Sequence, residues 1–303
     1  MAAATSERDG GLLVVAAAVL WGTTGTAQAL GPDGASSIVV GASRNVVGAL
    51  VLVAVAALRR RLGDPRALPR RALLLGAGAT AAYQLCFFGG VRLAGVAIGT
   101  VVGVGSGPVW GGLLGWLGRG ERPSRRWLVA TALALGGAAL LATSQADDGG
   151  RVDLLGVVLA LGAGLSYAAF ALWSKDLTEE HDPDVAMTWV FVTSAVVLLP
   201  VGLVAGAGPL VSGSGLAMVL WLGVVSLAAS YLLFGRGIRG VPVATATTLS
   251  LAEPLTAAAL GVVVLDEGLS AQAVTGMALV FAALAALALH PSMTRRRPPP
   301  PDL

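Results

Sequence analysis

One cysteine, Cys86, and two histidines, His181 and His290, are all that 303 residues offer of the softer metal ligands. A lone thiol excludes an intrachain disulfide and a cysteine-based metal site, and no metal or cofactor is expected. The chain also lacks an H-E-x-x-H helix, a pair of membrane-embedded aspartates and a G-x-x-x-x-G-K-[ST] loop. These gaps argue against zinc-protease and aspartyl chemistry and against direct use of a nucleoside triphosphate. Charge is scarce: 12% of residues are Asp, Glu, Lys or Arg, against 55% hydrophobic. A soluble domain carries about 25% charged residues. The net charge of +3 is held mostly in short connections between apolar stretches. That distribution fits membrane topology and not a nucleic-acid surface.

Ten apolar stretches are long enough to read as transmembrane helices: 11–30, 36–58, 70–91, 94–117, 126–144, 153–174, 185–205, 216–235, 241–265 and 271–290. With the amino terminus inside, the inner connections hold Arg59 to Arg61, Arg66, Arg70, Arg71, Arg119, Arg122, Arg125, Arg126, Lys175, Arg236 and Arg239, with Arg8 and Arg295 to Arg297 in the tails. The other side holds Arg92 and Arg151. Positive-inside bias therefore predicts a multi-pass membrane protein, the lipid bilayer being its first partner, with cytoplasmic tails at 1–10 and 291–303. The second tail, Arg295 to Pro301, is expected to be disordered. The run Leu12 to Leu20 before Ala27-Gln28-Ala29 has the outline of a signal peptide. Glu7 and Asp9 against a single Arg8 make a poor n-region, so this run is read as the first span.

Pro108, Leu114, Gly115, Glu121 and Ser124 recur 146 positions later as Pro254, Leu260, Gly261, Glu267 and Ser270. The same offset sets Trp21 against Tyr167 and Phe88 against Phe234. The first copy of the motif runs into arginines and the second into Asp266 and Glu267, so the two copies are expected to lie in opposite orientations. Five spans per copy, an odd number, makes that inversion necessary. The expected fold is an all-α membrane protein of ten transmembrane helices in two inverted five-helix repeats, 11–144 and 153–290. A loop at 145–152, carrying Asp147, Asp148, Gly149 and Gly150, divides them.

Arg44 lies mid-span in Gly41-Ala42-Ser43-Arg44-Asn45, where a charge costs roughly 2.5–3.5 kcal/mol on insertion scales. It either snorkels to the headgroups or faces an aqueous cavity, where its guanidinium fork suits a carboxylate. Glu253 is the only acidic residue deep in an apolar span and has no such escape. It is a candidate for holding a cationic group of a substrate or for exchanging a coupling proton, against the plainer reading of a structural ion pair. Pro254 frees the carbonyl of Ser250 and, with Pro108, is a candidate hinge. Glycines at 99, 103, 107, 111 and 115 strip one face of the fourth span for close packing, and Gly107 aligns with Glu253. Polar positions share single helix faces: Trp21, Thr24 and Gln28; Thr80, Tyr83, Gln84 and Phe87; Ser226 and Ser230. The candidate substrate-binding set is Trp21, Gln28, Arg44, Asn45, Tyr83, Gln84, Gly107, Tyr167, Ser230 and Glu253. Trp189 and Trp221, nearer span ends, read as interfacial anchors.

The paired motif with Glu253-Pro254, the Arg in the second span and Trp21-Gly22 resemble the EamA family of the drug/metabolite transporter superfamily, over residues 11 to 290. The resemblance implies a ten-helix inner-membrane carrier that moves amino acids, related metabolites or drugs, often outward. It also implies a central cavity lined by spans 1, 3, 4, 6, 8 and 9. The first copy departs from the family in its run of glycines around Ser106-Gly107-Pro108, so the cavity's shape does not carry over. The expected activity is secondary transport of a small polar solute by alternating access, with a proton through Glu253 as a coupling ion. A channel or lipid scramblase is the alternative. An intramembrane enzyme built on Ser106 would lack a general base.

Overall fold

A computed structural model of the protein describes residues 6–143, 153–205, 208–266, 268 and 270–289. Asp147 to Gly150, Arg151, Glu267, His290 and the tail from Arg295 lie outside the described residues. Among the described residues there is no strand. The helices are α1 Glu7–Ala29, α2 Ser37–Leu58, α3 Arg70–Ala94, α4 Val96–Arg119, α5 Arg125–Thr143, α6 Leu154–Glu180, α7 Pro183–Ala205, α8 Gly213–Ile238, α9 Val243–Leu265 and α10 Ala271–Leu289. Eight of them, α1 to α4 and α6 to α9, are long and apolar enough to cross a membrane, which makes this a multi-pass membrane protein. Large apolar side chains such as Leu50, Val129, Val196 and Phe281 are exposed around the outside. On a soluble protein they would form liabilities, whereas in lipid they are the solvated surface.

Polar side chains cap several of the helix starts. Ser6 accepts from the Asp9 amide at 3.1 Å, Asp153 from Leu155 at 2.8 Å and Ser212 from Gly215 at 3.1 Å. The motif that recurs in sequence recurs in geometry. Ser124 accepts from the Trp127 amide and Ser270 from the Ala273 amide, both at 3.1 Å, and α5 and α10 start one residue later. Gly120 and Asp266, again 146 apart, both take the left-handed conformation, φ 67° and 54°, and close α4 and α9 by donating to the carbonyls of Gly115 and Gly261. Glycine fits this position freely, and aspartate is among the few other residues that tolerate it.

Packing exchanges partners between the halves. Helices α3 and α4 pack chiefly on α6, α8 and α9 on α1, α2 on α7, and α5 on α10. Glycine permits the tightest of these approaches. A Cβ on Gly137 would stand 2.6 Å from the Gly276 carbonyl, and one on Gly164 would stand 2.9 Å from the Gly103 carbonyl.

The halves differ in regularity. α4 runs unbroken through Pro108. By contrast, α9 is interrupted at Ser250 and Leu251, and α8 contains a π-helical segment, Val224–Ala229. Both irregularities lie beside the polar residues of the interior.

Candidate functional site

Gly41, Arg44 and Gly48 share one face of α2. A Cβ on Gly41 would stand 2.9 Å from the Phe88 ring of α3, and one on Gly48 would overlap the Leu227 side chain of α8. Arg44, between them, is thereby aimed at the junction of α3 and α8. Its Nε is buried without a hydrogen-bond partner. Asn45, one residue on, turns the other way. It is fully buried and donates to Ser194 Oγ of α7 at 3.4 Å.

The break in α9 follows from its side chains. Thr247, Thr248 and Ser250 donate their hydroxyls to carbonyls one turn back, and Pro254 brings no amide. The Ser250 carbonyl accepts instead from the Glu253 amide at 3.0 Å. Glu253 therefore stands in the first turn of the segment Ala252–Leu265, at the positive end of its dipole. The carboxylate and Arg44 lie within electrostatic reach of each other, yet no ion pair joins them among the described residues.

An aromatic wall connects these two charges. The Tyr83 ring stacks on Phe87 at 5.6 Å and lies 6.3 Å from Tyr167. Trp21 meets Tyr167 edge-on at 6.2 Å and Tyr231 at 5.0 Å. The Tyr167 hydroxyl shares a hydrogen bond with Ser250, which ties α6 to the break in α9. The three tyrosines of the chain thus converge from α3, α6 and α8. Tyr83, Tyr167, Tyr231 and Glu253 are each half-buried, and the tyrosines lie within electrostatic reach of Glu253.

The π-helical segment shapes the wall opposite α9. Its extra residue per turn brings Ser226 to Thr24 at 2.7 Å and Ser230 under the Trp21 indole, whose N–H donates at 2.8 Å. Both serines are fully buried and mutually satisfied, Ser230 donating to the Ser226 carbonyl.

The sequence-derived candidates therefore divide. Arg44, Tyr83, Tyr167 and Glu253 lie near one another in the interior, with Trp21 against the Tyr167 ring and Ser230 under Trp21. Gln28 donates to the Thr24 carbonyl on its own helix at 3.4 Å. Gln84 lies in a side crevice with Ile38, Ala42, Leu85, Phe88 and Leu198. Gly107 is covered by the Tyr167 ring, 3.3 Å from where its Cβ would be, so the ring occupies the space opposite Glu253. Thr80 donates to the Gly76 carbonyl. Trp189 and Trp221 donate to the Leu62 carbonyl and to Thr23 Oγ1, each at 3.0 Å. Tyr231 was not singled out in the sequence. Its only signal is its place beside Ser230 on α8.

A second polar cluster lies at one end of the bundle. Arg119, closing α4, pairs with Asp176, with Glu179 at 2.5 Å and with Glu121 at 3.2 Å. Glu121 accepts from the Val243 amide at 2.8 Å, capping α9. Lys175, almost fully buried, donates to the carbonyls of Ile238 at 3.0 Å and Val241 at 2.6 Å. The cluster binds α4, α6, α8 and α9 at the end that also carries Arg59 and Arg236, both paired with Asp184.

A family model described as the EamA-like transporter family matches residues 9–143 and again 154–289. The chain is 38% identical over 281 residues to the uncharacterized transporter YwfM of Bacillus subtilis (strain 168), covering 92% of this chain and 94% of that one. It is 31% identical over 173 residues to the threonine/homoserine exporter RhtA of Salmonella typhimurium (strain LT2), covering 57% of this chain and 56% of the exporter. A solved crystal structure at 19% identity superposes with a TM-score of 0.80, covering 92% of this chain and 96% of that one, a likeness of fold.

Proposed function

The chain belongs to the EamA-like transporter family, and on that premise we propose that it exports small polar metabolites, amino acids or related compounds, across a bacterial inner membrane by alternating access. The observation that carries this reading is a pair of opposite charges in the apolar interior: Arg44 and Glu253 lie within electrostatic reach of each other and of Tyr83 and Tyr231, with no ion pair between them among the described residues. A charged residue is retained in a membrane interior where it serves a pathway. Similarity to threonine/homoserine exporters over about half their length supports an amino-acid solute and outward movement.

In this reading all ten helices cross the bilayer as two inverted repeats, and both termini are cytoplasmic. The duplicated caps at Ser124 and Ser270 support the repeat, and the gathering of Arg59, Arg119, Lys175 and Arg236 at one end supports the sidedness. One repeat rocks against the other, with the break before Pro254 and the Pro108 position of α4 as hinges. Glu253 serves as the proton site.

Reconstituted protein is expected to show saturable counterflow of labelled threonine. A channel or scramblase would give no one-for-one exchange. Glu253→Gln is expected to abolish the pH dependence of that transport, and an unchanged rate and pH profile would remove Glu253 as the coupling group.

A further inference from the structure

The turn between α4 and α5 carries charge that the rest of the protein does not take up. Arg122, Arg125 and Arg126 are exposed, and none makes an ion pair among the described residues. Arg119, one turn away, is by contrast held by three carboxylates. Arg122 borders a crevice that is lined also by Ser124, Trp127, Pro242 and Thr245. Hydrogen bonds hold the crevice in shape: the Trp127 indole donates to the Ala244 carbonyl at 2.9 Å, and Ser124 accepts from the Trp127 amide at 3.1 Å. Glu121, which lines it too, is engaged by Arg119 and by the Val243 amide.

Beyond the arginines the helix surface turns apolar. Leu128, Val129 and Leu133 are exposed on α5, three, four and eight residues after Arg125 and so on the same helix face. Helix α4, which packs on α5, exposes Val109, Leu113, Trp116 and Leu117. A basic head over an apolar body is the complement of an anionic amphiphile.

We propose that the α4–α5 turn is a binding site for an anionic phospholipid, its phosphodiester held by Arg122, Arg125 and Arg126 and its acyl chains laid along Leu128, Val129 and Leu133. The proposal needs only that the chain is embedded in lipid, and it stands whatever solute is carried. The second copy of the motif separates ligand from scaffold. Ser270 caps α10 as Ser124 caps α5, yet Gly268, Ala271 and Gln272 stand where the three arginines would be. The same cap therefore forms with no cation at those positions. Orientation in the membrane calls for basic residues at this end, but not for their convergence on one crevice. A guanidinium presents a planar fork of donors that matches phosphate oxygens, and basic pockets between helices at the membrane surface suit lipid headgroups.

The test is native mass spectrometry of the purified full chain in detergent, titrated with phosphatidylglycerol and, separately, with phosphatidylcholine of the same acyl chains. Wild-type protein is expected to bind phosphatidylglycerol at least about tenfold more tightly. Arg122→Gln, Arg125→Gln and Arg126→Gln should each weaken that binding about fivefold, and the three together should abolish the preference. Arg60→Gln, Arg66→Gln and Arg70→Gln combined remove equal charge from exposed positions in the α2–α3 connection, and should leave the preference intact. Unfolding temperatures without added lipid check that each variant folds, and the single substitutions read the same effect should the triple variant not fold. Phosphatidylglycerol should raise the unfolding temperature of the wild type and of the α2–α3 control, and inorganic phosphate should raise neither. Equal affinity for the two lipids would overturn the proposal, as would folded variants at 122, 125 and 126 that keep the wild-type preference. A control that loses the preference as fully would reduce the effect to general charge and overturn it too. Inorganic phosphate that stabilises as much as the lipid would make this a free-phosphate site instead.

Discussion

At the scale of single residues, most polar groups of the interior satisfy one another, while a few, the charged Arg44 and Glu253 among them, find no ion pair among the described residues. Ser230 shows the first kind: fully buried, it accepts the Trp21 indole and donates to backbone. Ser230→Ala would strand that N–H, and is expected to cost about 1–3 kcal/mol, read as a lower unfolding temperature in detergent. Trp21→Phe removes donor and need together and should cost less. Arg44 and Glu253 show the second kind, and both were legible in the sequence because a lone charge in an apolar run has few explanations. Asn45, Gln28 and Gln84 were equally visible as polar residues, but helix rotation decides what a side chain meets, and neighbouring residues on a helix face about 100° apart. Asn45 consequently bonds to α7 while Arg44 lies within electrostatic reach of Glu253. Tyr231 escaped notice because an amphipathic ring near the end of an apolar helix has many ordinary roles.

At the scale of elements, apolar length located the helices, and partners set where they stop. The apolar run expected to end at 174 continues as α6 to Glu180, because Lys175, Asp176 and Glu179 find counter-charges and carbonyls that make further turns worthwhile. The π-helical segment in α8 was invisible, since a shift in hydrogen-bond register leaves no mark in an alphabet of Leu, Val and Ala. The break in α9 was half legible: Pro254 announced a freed Ser250 carbonyl, which the Glu253 amide takes up. Pro254→Ala restores an amide at that point and should straighten α9 and displace Glu253. Threonine binding and transport are expected to fall without a lower unfolding temperature. The glycine face of α4 gives a second prediction. A Cβ on Gly111 would lie 2.9 Å from Thr247 Cγ2, so Gly111→Val should destabilise the protein by about 1–3 kcal/mol through overpacking against α9.

At the scale of the whole molecule, one end is bolted and the other is not marked by ion pairs among the described residues. Arg119 ties Asp176, Glu179 and Glu121 together, and through Glu121 it steadies the start of α9. Arg119→Ala leaves three carboxylates facing one another, and should lower the unfolding temperature more than Arg122→Ala at an exposed arginine. The sequence announced that these arginines gather at one end and that the halves are duplicated. It could not announce their pairing, because contacts between helices far apart in the chain depend on how the halves exchange partners.

The central claim is that two copies of one five-helix unit lie in opposite orientations around a shared polar interior. Single cysteines at Arg122 and Asp266, in a Cys86→Ser background, test it most directly, since both native side chains are exposed and each lies within one copy of the repeated motif. In right-side-out vesicles a membrane-impermeant maleimide is predicted to label the cysteine at 266 at once and the cysteine at 122 only after the membrane is opened. Labelling of both from the same side would contradict the account.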